Sequence, residues 1–336
     1  MKHLLAIFCL LALPALAADT LHIFTWADYI SPEAIESFEK KHSCRVVIDT
    51  FDSNESMYAK LKAGAKGYDL IFPTSYMIQL MVSEGIIGEL DHAKLPNLPN
   101  IDPAVLDKVS DKTMRHSVPY TLAYTILACR KDKVPNPESS WVIFQRPDIA
   151  QRMTLLDDMR ETIGAALKSL GHSINTRDEA KLAAAQAVLL KWKAQAAKFD
   201  NEGYKAGLDS GEFTLVQGYS GDLWQVAQEN DKITLIIPQE GLVMGCDEMV
   251  IPKSAPQAAL AHAFINHLLD ADTAAENMQW SGYLCPNTAA LKKVSPEFLS
   301  NPAVTIPEAI RAKSEVIQDL GPDLAKYTKV WDAVKR

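Results

Sequence analysis

From residue 21 the chain alternates short apolar runs with stretches whose apolar residues recur every three or four positions. The runs 21–26 (LHIFTW), 45–50 (RVVIDT) and 68–72 (YDLIF) have the length and the β-branched or aromatic content of strands. The stretches between them predict helices. Ser31-Pro32 supplies an N-cap and a first-turn proline for a helix whose stripe is Ala34, Ile35 and Phe38. A second helix is predicted over 55–62, stopping near Gly64, and a third over 77–84, stopping at Gly85. Such a β–α alternation predicts parallel strands joined by right-handed crossovers.

A Pro- and Asn-rich loop at 95–103 ends this pattern. Residues 118–128 (VPYTLAYTILA) form an extended apolar run long enough to cross between lobes, and 244–251 (MGCDEMVI) is a candidate return crossing. Strands are predicted at 215–219 and 233–237, and helices at 161–170, 178–198 and 258–269. The last of these carries Leu260, Phe264 and Leu268 at helical spacing. Another helix follows Asp272, and a tail helix is expected to carry Val316, Leu320 and Trp331.

The 336 residues suit roughly two domains. A hydrophobic share of 48% with 23% charged residues excludes wholesale disorder. The net charge of −8 argues against nucleic acid, which needs a basic footprint. Residues 1–17 (MKHLLAIFCLLALPALA) have a basic start, an apolar centre and an A-x-A end, the pattern of a secretory signal peptide cleaved after Ala17. The apolar centre is too short to span a bilayer. Among the cysteines left after such cleavage, Cys44, Cys129, Cys246 and Cys285, no C-x-x-C pair occurs.

Enzyme signatures fail. There is no phosphate-binding glycine loop and no H-E-x-x-H. Gly218-Tyr219-Ser220-Gly221-Asp222 misses the nucleophile elbow, because Asp222 stands where the last glycine belongs. His262 and His267 are spaced off a common helix face, so neither a metal site nor any cofactor is expected. What remains is acids and aromatics at strand ends, where open α/β folds bind ligands. Trp26 and Tyr29 follow the first strand; Thr74, Ser75 and Tyr76 follow the third; Tyr219 and Asp222 end another. Asp158-x-x-Glu161 fits a capping box equally well. Asp247 interrupts an apolar run, so it must be paired or face a polar cleft. Tyr283 sits in a loop after a helix. Carboxylates that take ammonium hydrogen bonds, with ring faces beside them, suit an organic cation.

At these residues the chain resembles the periplasmic polyamine-binding proteins, the putrescine/spermidine receptors of ABC uptake systems. The matching stretches include LHIFTWADYISPEAIESFEKKH, FDSNESMYAKLKAGAKGYDLIFPTSYMI, LLDDMRETIGAAL, GYSGDLWQVAQEN, IPQEGLVMGCDEMVIP and SGYLCPNTAA, in the family's order. The GYSGDLWQ stretch looks nearer the putrescine receptors. The resemblance implies an α/β, two-lobed solute-binding protein of type II, with two crossing strands as hinge. Residues 18–122 with 247–291 would form one lobe, and 123–246 with 292–336 the other. The implied ligand set is Trp26, Tyr29, Thr74, Tyr76, Asp158, Glu161, Tyr219, Asp222, Asp247, Tyr283 and, on a looser match, Gln318. The implied partner is an ABC permease in the inner membrane, served by a monomeric periplasmic protein that closes on its ligand, with motion near 120–123 and 242–246.

Three departures bear on the ligand. Gly245 stands where the family has an aromatic, Tyr219 replaces Trp, and Ala27 replaces a polar residue. Each lost ring contact is worth about 0.5–2 kcal/mol. A changed ligand such as agmatine or an ω-amino acid is therefore an alternative, as is a sensory role; an enzyme on this scaffold lacks a visible nucleophile–base pair. Cys246 and Cys285 stand beside Asp247 and Tyr283, which makes them the candidate disulfide, with free buried thiols the equal alternative.

Overall fold

The computed structural model describes residues 19–336, so the leader expected at 1–17 lies outside the described residues. Strands β1 (Thr20–Thr25), β2 (Arg45–Thr50) and β3 (Leu70–Ile71) are parallel, with β1 in the middle, as the β–α alternation predicts. The helix Pro32–His42 opens as expected: Ser31 accepts the Ala34 N–H and Pro32 occupies the first turn. Ser53 likewise caps the helix Asn54–Lys62 through the Ser56 N–H.

The remaining strands are β4 (Ser117–Arg130), β5 (Met153–Leu155), β6 (Lys198–Phe199), β7 (Leu215–Tyr219), β8 (Ile233–Ile236), β9 (Val243–Val250) and β10 (Glu315–Val316). One ten-stranded sheet runs in the order β2-β1-β3-β9-β4-β7-β5-β6, with β10 added on β9 and β8 on β4. The two long strands β4 and β9 pair antiparallel from Ser117↔Val250 to Thr125↔Val243. Their register shifts between Pro119 and Thr121, where proline offers no N–H to the ladder.

Buried side chains separate along this pair. One cluster joins Leu21, Phe38, Phe72 and Tyr120 to Cys246, Phe264 and Tyr283. Another joins Ile126, Trp141, Leu155 and Trp192 to Leu215, Tyr327 and Val334. Strands β4 and β9 feed both, which leaves a cleft where they pass from one half to the other. No described helix is long and apolar enough to cross a membrane.

Two expectations are corrected, and one open alternative is decided. The tail helix is only Leu324–Lys335; Val316 instead adds β10 to β9, pairing with Met244, because the sheet edge there offers backbone partners. The helix expected to reach 198 ends at Gln195, since Lys198–Phe199 pairs with β5. Cys246 and Cys285 are not bridged: both thiols are free and buried, and they pack in separate apolar clusters.

Candidate functional site

A cavity of about 320 Å³ opens between the two halves, at the carboxyl ends of β1, β3 and β7. Trp26, Tyr29, Thr74, Tyr76, Asp158, Glu161, Tyr219, Asp222, Asp247 and Tyr283 all line it. Gln318 does not. Ile317 faces the cavity, and the extended chain turns the next side chain outward, so Gln318 is exposed and lines a separate depression with Asp107 and Asn175.

Asp247 sits on β9, a strand buried along its whole length. Its carboxylate accepts the Tyr29 hydroxyl at 2.5 Å and the Thr74 hydroxyl at 2.6 Å. Asn54 locks Thr74 from behind: its side chain accepts the Thr74 N–H and donates to the Thr74 hydroxyl, both at 2.9 Å. Tyr29 also bonds the Thr121 hydroxyl and meets Tyr283 edge-on, with centroids 5.4 Å apart. Burial pushes the Asp247 carboxyl up to about 6 against the pull of these hydroxyls.

Asp158 and Glu161 fulfil both readings of their spacing. Asp158 caps the helix Met159–Ser169, accepting the N–H groups of Arg160 at 2.9 Å and Glu161 at 3.0 Å. Its other oxygen reaches the cavity and accepts the Tyr219 hydroxyl at 3.4 Å. Glu161, in the helix's first turn, accepts the Thr125 hydroxyl from β4. Burial raises both acids, and the Asp158 charge helps drive Glu161 up to about 8. Arg160 gives little direct relief, because its guanidinium points away to the Gln318 carbonyl and Asn175. This end of the cavity thus gathers three acids, Asp158, Glu161 and Asp247, with no lysine or arginine lining it.

The rings complete the site. Trp26 is fixed by its indole N–H to the Phe72 carbonyl at 2.9 Å and leans on Phe51, 4.4 Å between centroids. Tyr76 donates to Glu55 at 3.2 Å. A Cβ built on Gly245 would meet Thr74 at 3.7 Å and Glu161 at 3.9 Å, ordinary contact distances with no clash, so a side chain at this position would stand against those two residues at the cavity wall. At the other end, Asp222 accepts the hydroxyls of Tyr204 at 2.6 Å and Tyr283 at 3.0 Å.

Sequence reasoning missed Asn54, Phe51 and Lys205. Asn54 carried no signal beyond its place in a helix start, and Lys205 none at all. Ser220, the serine of the failed nucleophile elbow, is buried and accepts the Tyr124 N–H at 3.2 Å.

A two-lobed α/β fold with an acid- and aromatic-lined cleft at its hinge strands defines a solute-binding protein. The chain belongs to the family of bacterial extracellular solute-binding proteins, which it matches over residues 33–306. It is 34% identical to a putrescine/cadaverine-binding protein of Pseudomonas aeruginosa, across 100% of this chain and 99% of the relative. It is also 34% identical to a spermidine/putrescine-binding periplasmic protein of Salmonella typhimurium, across 99% and 98%. The solved spermidine/putrescine ABC transporter substrate-binding protein of Streptococcus pneumoniae superimposes with a TM-score of 0.80 at 28% identity, covering 95% of this chain and 99% of that one.

Proposed function

We propose that this protein is a periplasmic receptor for small organic amines of the putrescine and spermidine class, and that it delivers them to an ABC permease. The observation that carries this reading is the end of the cavity where Asp158, Glu161 and Asp247 converge beside Tyr29 and Tyr219 with no basic side chain among them. Three buried carboxylates so placed repel one another, and an ammonium group relieves that repulsion through charge-assisted hydrogen bonds. The rings of Trp26, Tyr29, Tyr219 and Tyr283 cover the methylenes and supply cation–π attraction. The names of the full-length relatives support the same ligand class.

Uptake then proceeds by closure. The lobes are residues 18–122 with 247–291 and residues 123–246 with 292–336, turning near 120–123 and 242–246. Groups from both halves meet at the cavity, Tyr283 on Asp222 and Asn201 on the Asp52 carbonyl, and such contacts form only when the cleft is shut. Ligand charge favours the shut form, and a permease that recognises that form makes uptake depend on ligand. Export follows cleavage after Ala17, and the protein works as a monomer without chemistry of its own.

Calorimetric titration of the mature, ligand-stripped protein with putrescine, cadaverine, spermidine, agmatine and 4-aminobutyrate tests the proposal. Micromolar or tighter binding of a di- or polyamine is expected. Silence toward every amine in the panel would sink it.

A further inference from the structure

The two ends of the cavity are not equivalent. Tyr29 and Tyr283 stand between Asp247, which holds the Tyr29 hydroxyl, and Asp222, which holds the Tyr283 hydroxyl. At the Asp222 end the cavity already contains a cation. Lys205, from the helix Tyr204–Ser210, lies with its Nζ 2.7 Å from Asp28 Oδ2, 3.8 Å from Asp222 Oδ1 and 3.4 Å from the Gln225 side-chain oxygen. It is the only lysine or arginine among the described residues lining the cavity, and its side chain is 21% exposed. Asp222 is further supplied by two phenol donors, from Tyr204 and Tyr283. The acids at this end therefore have a cation from within the chain, whereas Asp158, Glu161 and Asp247 have hydroxyl donors but no lysine or arginine lining the cavity beside them.

We infer that Lys205 acts as an internal ammonium at the far end of the cavity and tunes specificity, weakening the hold on a second ligand ammonium there relative to an uncharged far end. This rests on the amine-receptor reading above and narrows it. A ligand ammonium directed to Asp222 or Asp28 must displace Lys205 from its 2.7 Å ion pair or sit beside a like charge. An uncharged alkyl or hydroxyl end meets neither cost. The alternative role for the same geometry is a latch, since Asp28 follows β1 in one half and Lys205 belongs to the other. The two roles predict opposite results when the charge is removed.

The test is titration of wild type, Lys205→Met and Lys205→Gln with putrescine and n-butylamine, which share a chain length and differ by one ammonium. Melting curves confirm that each variant folds, and the neutral glutamine keeps polarity should methionine disturb the rim. The expected result is putrescine binding tightened at least tenfold in both variants, with n-butylamine changed less than threefold. A loss of affinity for both amines in equal proportion would make Lys205 a latch and overturn the inference. So would an unchanged preference between the two amines. Failure of both amines to bind any of the three proteins, with silence across the whole panel, would instead overturn the amine-receptor reading itself.

Discussion

Replacing Asp247 with Asn removes one charge while keeping the side chain's shape, and the structure predicts opposite effects on stability and binding. The carboxyl is 8% exposed, and burial lifts it from 3.8 to about 6. At 1.36 kcal/mol per unit, holding it ionised at neutral pH costs the ligand-free protein on the order of 3 kcal/mol. Asn keeps an oxygen for one of the two hydroxyl donors, Tyr29 or Thr74, and weakening the other costs about 1 kcal/mol. The ligand-free variant should therefore melt at or above the wild-type temperature. Binding should suffer. A ligand ammonium about 4 Å from the carboxylate gains about 4 kcal/mol at an effective dielectric near 20, and partners of buried charges typically lose about 2–5 kcal/mol when truncated. A loss of about 2–4 kcal/mol is roughly thirty- to a thousandfold in Kd. Differential scanning calorimetry of stripped protein, followed by titration at pH 7.5 with the tightest amine of the panel, measures both. Unchanged affinity would remove Asp247 from the ligand site. A fall in melting temperature together with the fall in affinity would show that the carboxylate chiefly anchors Tyr29 and Thr74.

Glu161 titrates near 8 in the fold against 4.5 unfolded, so the native chain holds an extra proton between those values. Its contribution to the stability of the ligand-free protein is full below 4.5 and lost as pH rises through 8; melting curves from pH 5 to 8.5 should fall accordingly, and a flat profile would contradict it. Because an ammonium stabilises the ionised form, amine binding should release protons and tighten from pH 6 to 8.5, seen as a buffer-dependent enthalpy in calorimetry. Gly245→Phe adds a ring at the cavity wall beside Thr74 and Glu161, where a Cβ meets no clash, and should tighten a slim amine about two- to thirtyfold, the equivalent of about 0.5–2 kcal/mol; weaker binding of every amine would mean that the ligand already fills that volume. Asn54→Ala frees Thr74 and leaves the Thr74 N–H unmatched in a buried site, so amine affinity should drop roughly five- to thirtyfold, from about 1–2 kcal/mol. A thiol reagent should label Cys44, Cys129, Cys246 and Cys285 only after unfolding, since all are buried and burial raises each thiol; labelling of just two in the unreduced, unfolded protein would reveal a bridge.

Much of the site was legible because strand-end acids and aromatics are readable as such. Asp158 and Glu161 show the limit of that reading. Their spacing fits a helix cap, and the cap is real, yet the carboxylate that caps with one oxygen reaches the cavity with the other. Local pattern offered two exclusive roles where geometry combines them. Gln318 failed for the opposite reason: its position rested on a loose match in the tail, and just past the strand Glu315–Val316 one step along the chain exchanges the cavity side, where Ile317 lies, for the outer one. The tail strand Glu315–Val316 was missed because two residues carry no period; it exists only because β9 has a free edge to pair with.

By itself the sequence determined the alternating elements, their caps, the acidic and aromatic endowment, and the presence of two long crossing runs. These follow from periodicity and from the local rules of backbone hydrogen bonding, which act within a few residues. The sequence reading chose Asp247 and took no account of its neighbour Glu248, an acid buried on the same strand that the local pattern alone does not distinguish. The pleat decides: one turns toward Tyr29 and the cavity, the other to the Ser117 hydroxyl at 2.5 Å. Nor could it place Lys205, 177 residues from Asp28, at the far end of the same pocket. Charge pairing across such separations is set by how two halves pack over a hinge, and that information resides only in the folded chain.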